Sequence, residues 1–363
     1  MVKPVGSRCN LRCSYCYYLD KPHLGSALMA DATLEATLSQ FIAASPGPAI
    51  SVVWHGGEPT LAGLDFYRRV VDIQQRLLPP GWEVWNNLQT NGLLLDNEWC
   101  DFLVEHRFDV GVSIDGTALI HDRFRPDPRG RGSYEGAVDA IGRLQARGLQ
   151  PDLLCTVTAT TAENALAVYR ALRDFGTGWI QFIPIVGAAG GVGGEAYGEF
   201  LCAVFDEWAR NDLGRLNVQM FAETMRVLIG APAGLCWMAP TCGRALVVEA
   251  DGGVYSCDHY VTPAHRLGST VVEELGVLAN TAAQLAFGQA KCDTLPGECL
   301  RCEWLRLCNG GCPKDRAGRR NVLCPGLTAF FAPAAPVMER IIAMTRAGST
   351  PQAIMERLRA NVE

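Results

Sequence analysis

Between about residue 50 and residue 186 the chain alternates short β-branched runs with stretches whose apolar residues recur at helical spacing. Ile50–His55 reads as a strand and 64–78 as the helix after it. The pattern repeats with a strand over 83–89 and a helix over 97–106, then 109–114 and 134–147, then 153–158 and 162–175, and it closes on a strand over 179–185. A further strand is expected over Lys3–Ser7, with 31–44 as its helix. Six strands alternating with helices predict parallel βαβ units, which build an open doubly wound sheet or a full or partial barrel. After Pro184 the alternation stops. The glycine-rich run 187–194 reads as a flexible loop and not as a dinucleotide fingerprint, since no strand–turn–helix frames it. Helices are expected over 197–211 and 220–229, and amphipathic ones over 328–347 and 351–360.

Composition narrows the class. The 363 residues are 48% hydrophobic and 19% charged, enough for a sizeable core and too little charge for disorder. A net charge of −6 leaves no broad basic field for nucleic acid or anionic lipid. No run approaches the roughly 18 consecutive apolar residues of a membrane span, and Met1–Gly6 lacks a hydrophobic signal region. A cytoplasmic protein is therefore expected. Its 15 cysteines then call for metal more than for disulfides. Cys100, Cys155 and Cys202 stand alone in apolar stretches and read as small buried hydrophobes.

The other cysteines fall into two sets. Cys9-x3-Cys13-x2-Cys16 supplies three thiolates on a loop after the first expected strand, one ligand short of closing a tetrahedral zinc or a four-iron cluster. An open corner on a metal admits a substrate; a closed zinc site would need a fourth ligand, and His23 is the nearest. The second set, Cys236-x5-Cys242-x14-Cys257 and Cys299-x2-Cys302-x5-Cys308-x3-Cys312-x11-Cys324, holds eight thiols, enough for two four-ligand sites. Zinc knuckles and iron–sulfur clusters both fit that count.

The stretch Lys3-Pro4-x-Gly6-x2-Cys9-Asn10-Leu11-x-Cys13-x-Tyr15-Cys16-Tyr17-Tyr18-Leu19 resembles the cluster loop of radical S-adenosylmethionine (radical SAM) enzymes. The resemblance implies a partial (β/α)6 barrel and a [4Fe-4S] cluster whose open iron binds S-adenosylmethionine. Gly56-Gly57-Glu58-Pro59 resembles that family's loop for the methionine amino group. Thr90, Asn91, Ser113, Tyr18, Val186 and, for the carboxylate, Arg125 are implied as further cofactor contacts. The second cysteine set resembles the SPASM extension, which holds two auxiliary [4Fe-4S] clusters. By that resemblance Cys236, Cys242, Cys257 and Cys312 hold one, Cys299, Cys302, Cys308 and Cys324 hold the other, and Cys292 is left over. The implied organisation is a barrel over 1–235, a SPASM domain over 236–325 and a helical segment over 326–363.

Within that group Gln181-Phe182-Ile183-Pro184, Cys257-Asp258-His259-Tyr260-Val261 and Cys312-Pro313-Lys314-Asp315-Arg316 resemble the anaerobic sulfatase-maturating enzymes. These oxidise a cysteine or serine of a sulfatase, in a Cys/Ser-x-Pro-x-Arg motif, to Cα-formylglycine. The implied general base is Asp258, and the implied partners are the unfolded sulfatase and an electron donor. Two alternatives stay open: a SPASM maturase making a thioether, carbon–carbon link or epimer in a short peptide, and a zinc-organised binding module without catalysis.

Overall fold

The computed structural model describes residues 1–360 except Asp20, Pro22 and Ser26. The strands that frame the sites are β1 (Ala49–Trp54), β2 (Glu83–Thr90), β3 (Asp109–Ser113), β4 (Asp152–Val157), β5 (Trp179–Pro184), β6 (Asn217–Val218), β7 (Val247–Val248), β8 (Gly253–Tyr255) and β9 (Arg266–Ser269). The chain forms two compact, discontinuous units. The first contains Met1–Ser113, Asp122–Pro151 and Gly243–Gln289; the second contains Ile114–His121, Asp152–Cys242 and Ala290 onward. Each draws on both the βα region and the cysteine-rich region, so neither coincides with one contiguous segment of the sequence reading.

In the first unit β1, β2 and β3 run parallel, in register at Trp54↔Leu88 and Thr90↔Val112. Ile50, Val52 and Trp54 alternate inward along β1, as period-two side chains must. The helix Leu64–Leu77 covers them, with Phe66 and Tyr67 edge-on to Trp54 at 6.1 and 5.7 Å. The expected strand over Lys3–Ser7 does not form. Val2 alone bridges Trp54 and Val248, and the chain then turns at Pro4–Ser7, where Pro4 has no N–H to give and Gly6 takes φ +57°. That bridge joins β1 to the antiparallel β7–β8–β9 ribbon of the same unit.

In the second unit β4, β5 and β6 are parallel, and β6 is a two-residue strand that no sequence pattern announced. The helix expected over 162–175 is two, Ala159–Glu163 and Ala165–Arg173, interrupted at Asn164. The glycine-rich run is a closed turn: the Gly190 carbonyl accepts from Ala159 N (3.0 Å), and Val192 N donates back to Ile185 (2.9 Å).

The helix Cys324–Arg346 corrects one expectation: by length and composition it is apolar enough to cross a membrane. Here it is a core helix. Phe330 is buried against Phe205 and Phe221, with ring centroids 5.9 and 5.7 Å apart. It meets the helix Gly194–Asn211 backbone to backbone: a Cβ on Gly326 would lie 1.8 Å from the Gly194 carbonyl oxygen, and one on Gly198 would lie 2.5 Å from Gly326 Cα.

Candidate active site

The three-cysteine loop lies in the first unit, and its neighbours hold it by backbone contacts. Arg12 N and Ser14 N donate to the carbonyls of Pro126 and Phe124 (2.8 and 2.9 Å). This brings the buried Arg125 to the loop, where its Nη1 donates to the Tyr15 hydroxyl at 2.9 Å. On the other side Gly57 N donates to the Gly6 carbonyl and Glu58 N to that of Arg8 (2.8 and 2.7 Å). Position 57 must be glycine, because a Cβ there would sit 1.9 Å from the Arg8 oxygen. The Gly56-Gly57-Glu58 turn is therefore a buttress directly beneath the cysteine loop.

Glu58 is buried and fully engaged. One carboxylate oxygen accepts from Thr60 N, Thr60 Oγ1 and Thr90 Oγ1 (3.0, 2.6 and 2.8 Å), and the other accepts from Asn91 N at 2.8 Å. Burial raises its pKa, and these four donors oppose the rise. The side chain thus staples the ends of β1 and β2 together. Asn91 turns back to the loop, donating to Asn10 Oδ1 at 2.7 Å with Cys9 Sγ at 3.9 Å. Ser113, ending β3, accepts from Gln89 at 3.0 Å. Four of the expected contacts, Glu58, Thr90, Asn91 and Arg125, thus converge on the cysteine loop or its buttress. Val186 lies in the second unit, half-buried after β5.

The thiols of Cys9, Cys13 and Cys16 are half-buried. Burial pushes the Cys9 thiol up to about 12, and the neighbouring acid groups push the same way. Three crowded thiolates need a cation to hold them, the donor set of a metal cluster. His23 does not complete a zinc site: its Nε2 hydrogen-bonds the Val261 carbonyl at 3.1 Å.

A second arc runs from Cys16 to Cys257. The Tyr17 hydroxyl donates to Asp258 Oδ2, and the Lys3 ammonium donates to Asp258 Oδ1. Lys3 also lies 3.3 Å from the centroid of the Tyr18 ring, and the Tyr18 hydroxyl donates to the buried Glu249. Burial alone would raise the Asp258 pKa. The charge of Lys3 and the bonds from Lys3 and Tyr17 outweigh it and hold the carboxylate well below its usual range. Tyr17 keeps about half its surface exposed; the groups packed around its ring and the Asp258 charge raise its phenol, so Tyr17 acts as a donor. Sequence reasoning gave Lys3 and Tyr17 no role, because their partner is 255 and 241 residues away.

Comparisons with known proteins show the family. Residues 4–169 match the radical SAM superfamily model. A serine-type anaerobic sulfatase-maturating enzyme of Bacteroides thetaiotaomicron is 36% identical, over 99% of this chain and 94% of the relative. The chain belongs to the anaerobic sulfatase-maturating enzymes. A cysteine-type maturating enzyme of Clostridium perfringens is 32% identical over 93% of this chain and 96% of the relative. The solved structure of native anSMEcpe with bound AdoMet and Cp18Cys peptide superposes with TM-score 0.88 at 31% identity, covering 94% of this chain and 97% of that one. This maturating enzyme is a radical SAM oxidoreductase with the superfamily's α/β fold and parallel strands. Membership brings S-adenosylmethionine and a [4Fe-4S] cluster as cofactors.

The maturating enzyme's second unit holds a further donor set. Cys299, Cys302, Cys308 and Cys324 line a cavity of about 120 Å³, walled by Trp304, Leu305, Leu327 and Phe331. Among the described residues no three His, Cys, Asp or Glu side chains converge at single-ion spacing. In the same unit Cys236, Cys242 and Cys312 lie within electrostatic reach of Lys291. Lys291 is fully buried and donates to the carbonyls of Cys236 and Trp237 (both 2.8 Å) and of Ala239. Cys257 belongs to the first unit. Cys292 does not line the cavity; Cys100 and Cys155 are buried as expected, whereas Cys202 is only half-buried, on the helix Gly194–Asn211 beside the Ala329 carbonyl.

Proposed function

We propose that this enzyme oxidises the active-site cysteine or serine of an unfolded sulfatase, within a Cys/Ser-x-Pro-x-Arg stretch, to Cα-formylglycine. The observation that carries the reading is Asp258: a carboxylate kept ionised and hydrogen-bonded by Tyr17, the residue next to Cys16. When bound, S-adenosylmethionine and the cluster on Cys9, Cys13 and Cys16 supply a 5′-deoxyadenosyl radical that takes a hydrogen from the target Cβ. Gly56, Gly57, Glu58, Thr90, Asn91, Ser113, Tyr18, Arg125 and Val186 hold the cofactor; with Glu58 saturated, its part is to shape the turn. Asp258 takes the substrate's thiol or hydroxyl proton; serine then yields the aldehyde directly, whereas cysteine yields a thioaldehyde that water hydrolyses to the aldehyde with loss of hydrogen sulfide.

A carboxylate this well stabilised is a weak base toward an ordinary thiol or hydroxyl. Loss of the Cβ hydrogen makes the adjacent S–H or O–H far more acidic, so proton transfer follows abstraction or accompanies it. Cys236, Cys242, Cys257 and Cys312, and separately Cys299, Cys302, Cys308 and Cys324, would hold two auxiliary [4Fe-4S] clusters able to accept the second electron. An external electron donor supplies the reducing equivalents, and a reducing cytoplasm suits so many free thiols. By function the segments 1–235, 236–325 and 326–363 would be the barrel, the SPASM domain and the helical segment, although each compact unit draws on more than one of them.

The test is Asp258→Asn, which keeps the shape and removes the basicity. Iron content and conversion of S-adenosylmethionine to 5′-deoxyadenosine should persist, while formylglycine, read by mass spectrometry of a sulfatase-motif peptide, falls roughly 10²–10⁴-fold. Undiminished formylglycine places the base elsewhere.

A further inference from the structure

We propose that Lys3 is a positioning residue for the oxidation, a buried ammonium that fixes the Asp258 carboxylate in the orientation from which it receives the substrate's proton. The inference rests on the reading of Asp258 as the base. Lys3 is 0% exposed, where lysine is rarely found unless paired. Removing a charge from water costs several kcal/mol, and an apolar side chain of similar volume would pack the same space at no such cost. The placement is nevertheless enforced by the backbone on both sides. Lys3 N donates to the Val248 carbonyl at 2.9 Å, and the preceding Val2 is locked to Val53 and His55 (2.8 and 3.0 Å). Gly56 leaves room for the stem, since a Cβ there would come within 2.9 Å of Lys3 Cβ. The turn beneath the cysteine loop and the path of the lysine are thus one packing unit.

At its far end the ammonium has two neighbours. It sits over the face of Tyr18, whose hydroxyl is anchored on Glu249, and it donates to Asp258 Oδ1. Tyr17 occupies Oδ2. Asp258 begins a three-residue 3-10 turn, and its side chain keeps a fifth of its surface exposed. Local structure alone would therefore leave the carboxylate free to rotate. Two donors on two oxygens remove that freedom, and the Lys3 donor comes from the buried side, leaving the exposed edge to the substrate. A proton transfer requires the accepting oxygen within hydrogen-bond reach and in a fixed orientation.

The test compares Lys3→Met, Asp258→Asn and the double variant in reconstituted enzyme with a sulfatase-motif peptide. Lys3→Met should keep its iron and the KM for peptide within about threefold. Its kcat for formylglycine should drop at least tenfold, and more 5′-deoxyadenosine should be released per formylglycine made. A residue with a merely structural role would lower iron content or raise KM instead. Because Lys3 acts through Asp258, the double variant should be no slower than Asp258→Asn alone. An unchanged kcat in Lys3→Met beside a crippled Asp258→Asn overturns the proposal. So does a further tenfold loss in the double variant, an outcome that can be read even if the single Lys3→Met chain does not fold. Full activity in Asp258→Asn instead rejects the base, and is distinguished by that arm alone.

Discussion

The two cysteine-lined regions that lie each within one unit are built on opposite plans. Around Cys9, Cys13 and Cys16 the structure gathers charge and hydrogen-bonding capacity: Glu58, Asn91, Arg125, and the Lys3–Asp258–Tyr17 arc. Around Cys299, Cys302, Cys308 and Cys324 it gathers Trp304, Leu305, Leu327 and Phe331, with Glu298 and Arg320 as the charged members. A centre that must seat a polar cofactor and move a substrate proton needs fixed dipoles in place beforehand. In the proposed function the second region only exchanges electrons, a task that asks for a closed set of ligands and apolar walls. The contrast lies in the surroundings and not in the thiols.

Removing thiols from each region should separate the two roles most sharply. Replacing Cys9, Cys13 and Cys16 by Ala should remove about four of about twelve irons and abolish S-adenosylmethionine cleavage. Replacing Cys299 and Cys302 should also remove about four irons but leave cleavage measurable. Iron assay with product chromatography reads both, and two tightly bound zincs in place of auxiliary iron would break the comparison.

A smaller effect is expected at Lys291. Lys291→Met orphans carbonyls at Cys236, Trp237 and Ala239, at about 1–3 kcal/mol for each one left unsatisfied. Thermal unfolding should shift down and the cluster site containing Cys236 should lose iron, while the Cys299–Cys324 site keeps its own.

The smallest effect is one of pH. Burial lowers the His55 pKa to about 4 from an ordinary 6.5. Between those values the unfolded chain binds the proton more readily, so this contribution to stability is present above pH 6.5 and is lost as pH falls toward 4. Glu249, raised by burial to about 6, has the opposite sign: its contribution is present below 4.5 and lost as pH rises through 6. The difference in Tm between wild type and His55→Gln should shrink from pH 7 to pH 4. The corresponding difference for Glu249→Gln should grow. A pH-independent difference for both would remove the polar region's electrostatic distinction.

Much of this was legible along the chain, for definable reasons. β1 to β5 were found because period-two apolar runs between helical stretches are a local signal, and the cysteine sets because ligand spacing is local too. Two features failed the same criterion. Lys3–Ser7 reads as a strand, yet Pro4 and Gly6 make it a turn, while β6 is too short to show any period. The Lys3 and Tyr17 contacts to Asp258 could not be read at all. Each element around them is ordinary, and only the closing of the β7–β9 ribbon onto Val2 brings the partners together. The glycine run 187–194 reads as a flexible loop, and the backbone bonds that pin parts of it are not visible in its composition. Its glycines serve close packing and a pinned turn as much as freedom.

The glycine crossing has a mechanical consequence for the ligand at its end. Cys324 is the first residue of the 23-residue helix Cys324–Arg346, and Gly326, where that helix rests on Gly194 and Gly198, is two residues on. At 1.5 Å per residue the fulcrum lies roughly 3 Å from Cys324 and about 30 Å from the other end. A rod pivoted so close to one tip amplifies motion at the far tip and damps it at the near one by about tenfold. Sway at the C-terminal end of this helix therefore reaches the fourth thiol of the cavity much reduced. Bulk added at Gly326 would move the fulcrum itself, and with it the one cavity cysteine that 15 intervening residues separate from the nearest of the others, Cys308.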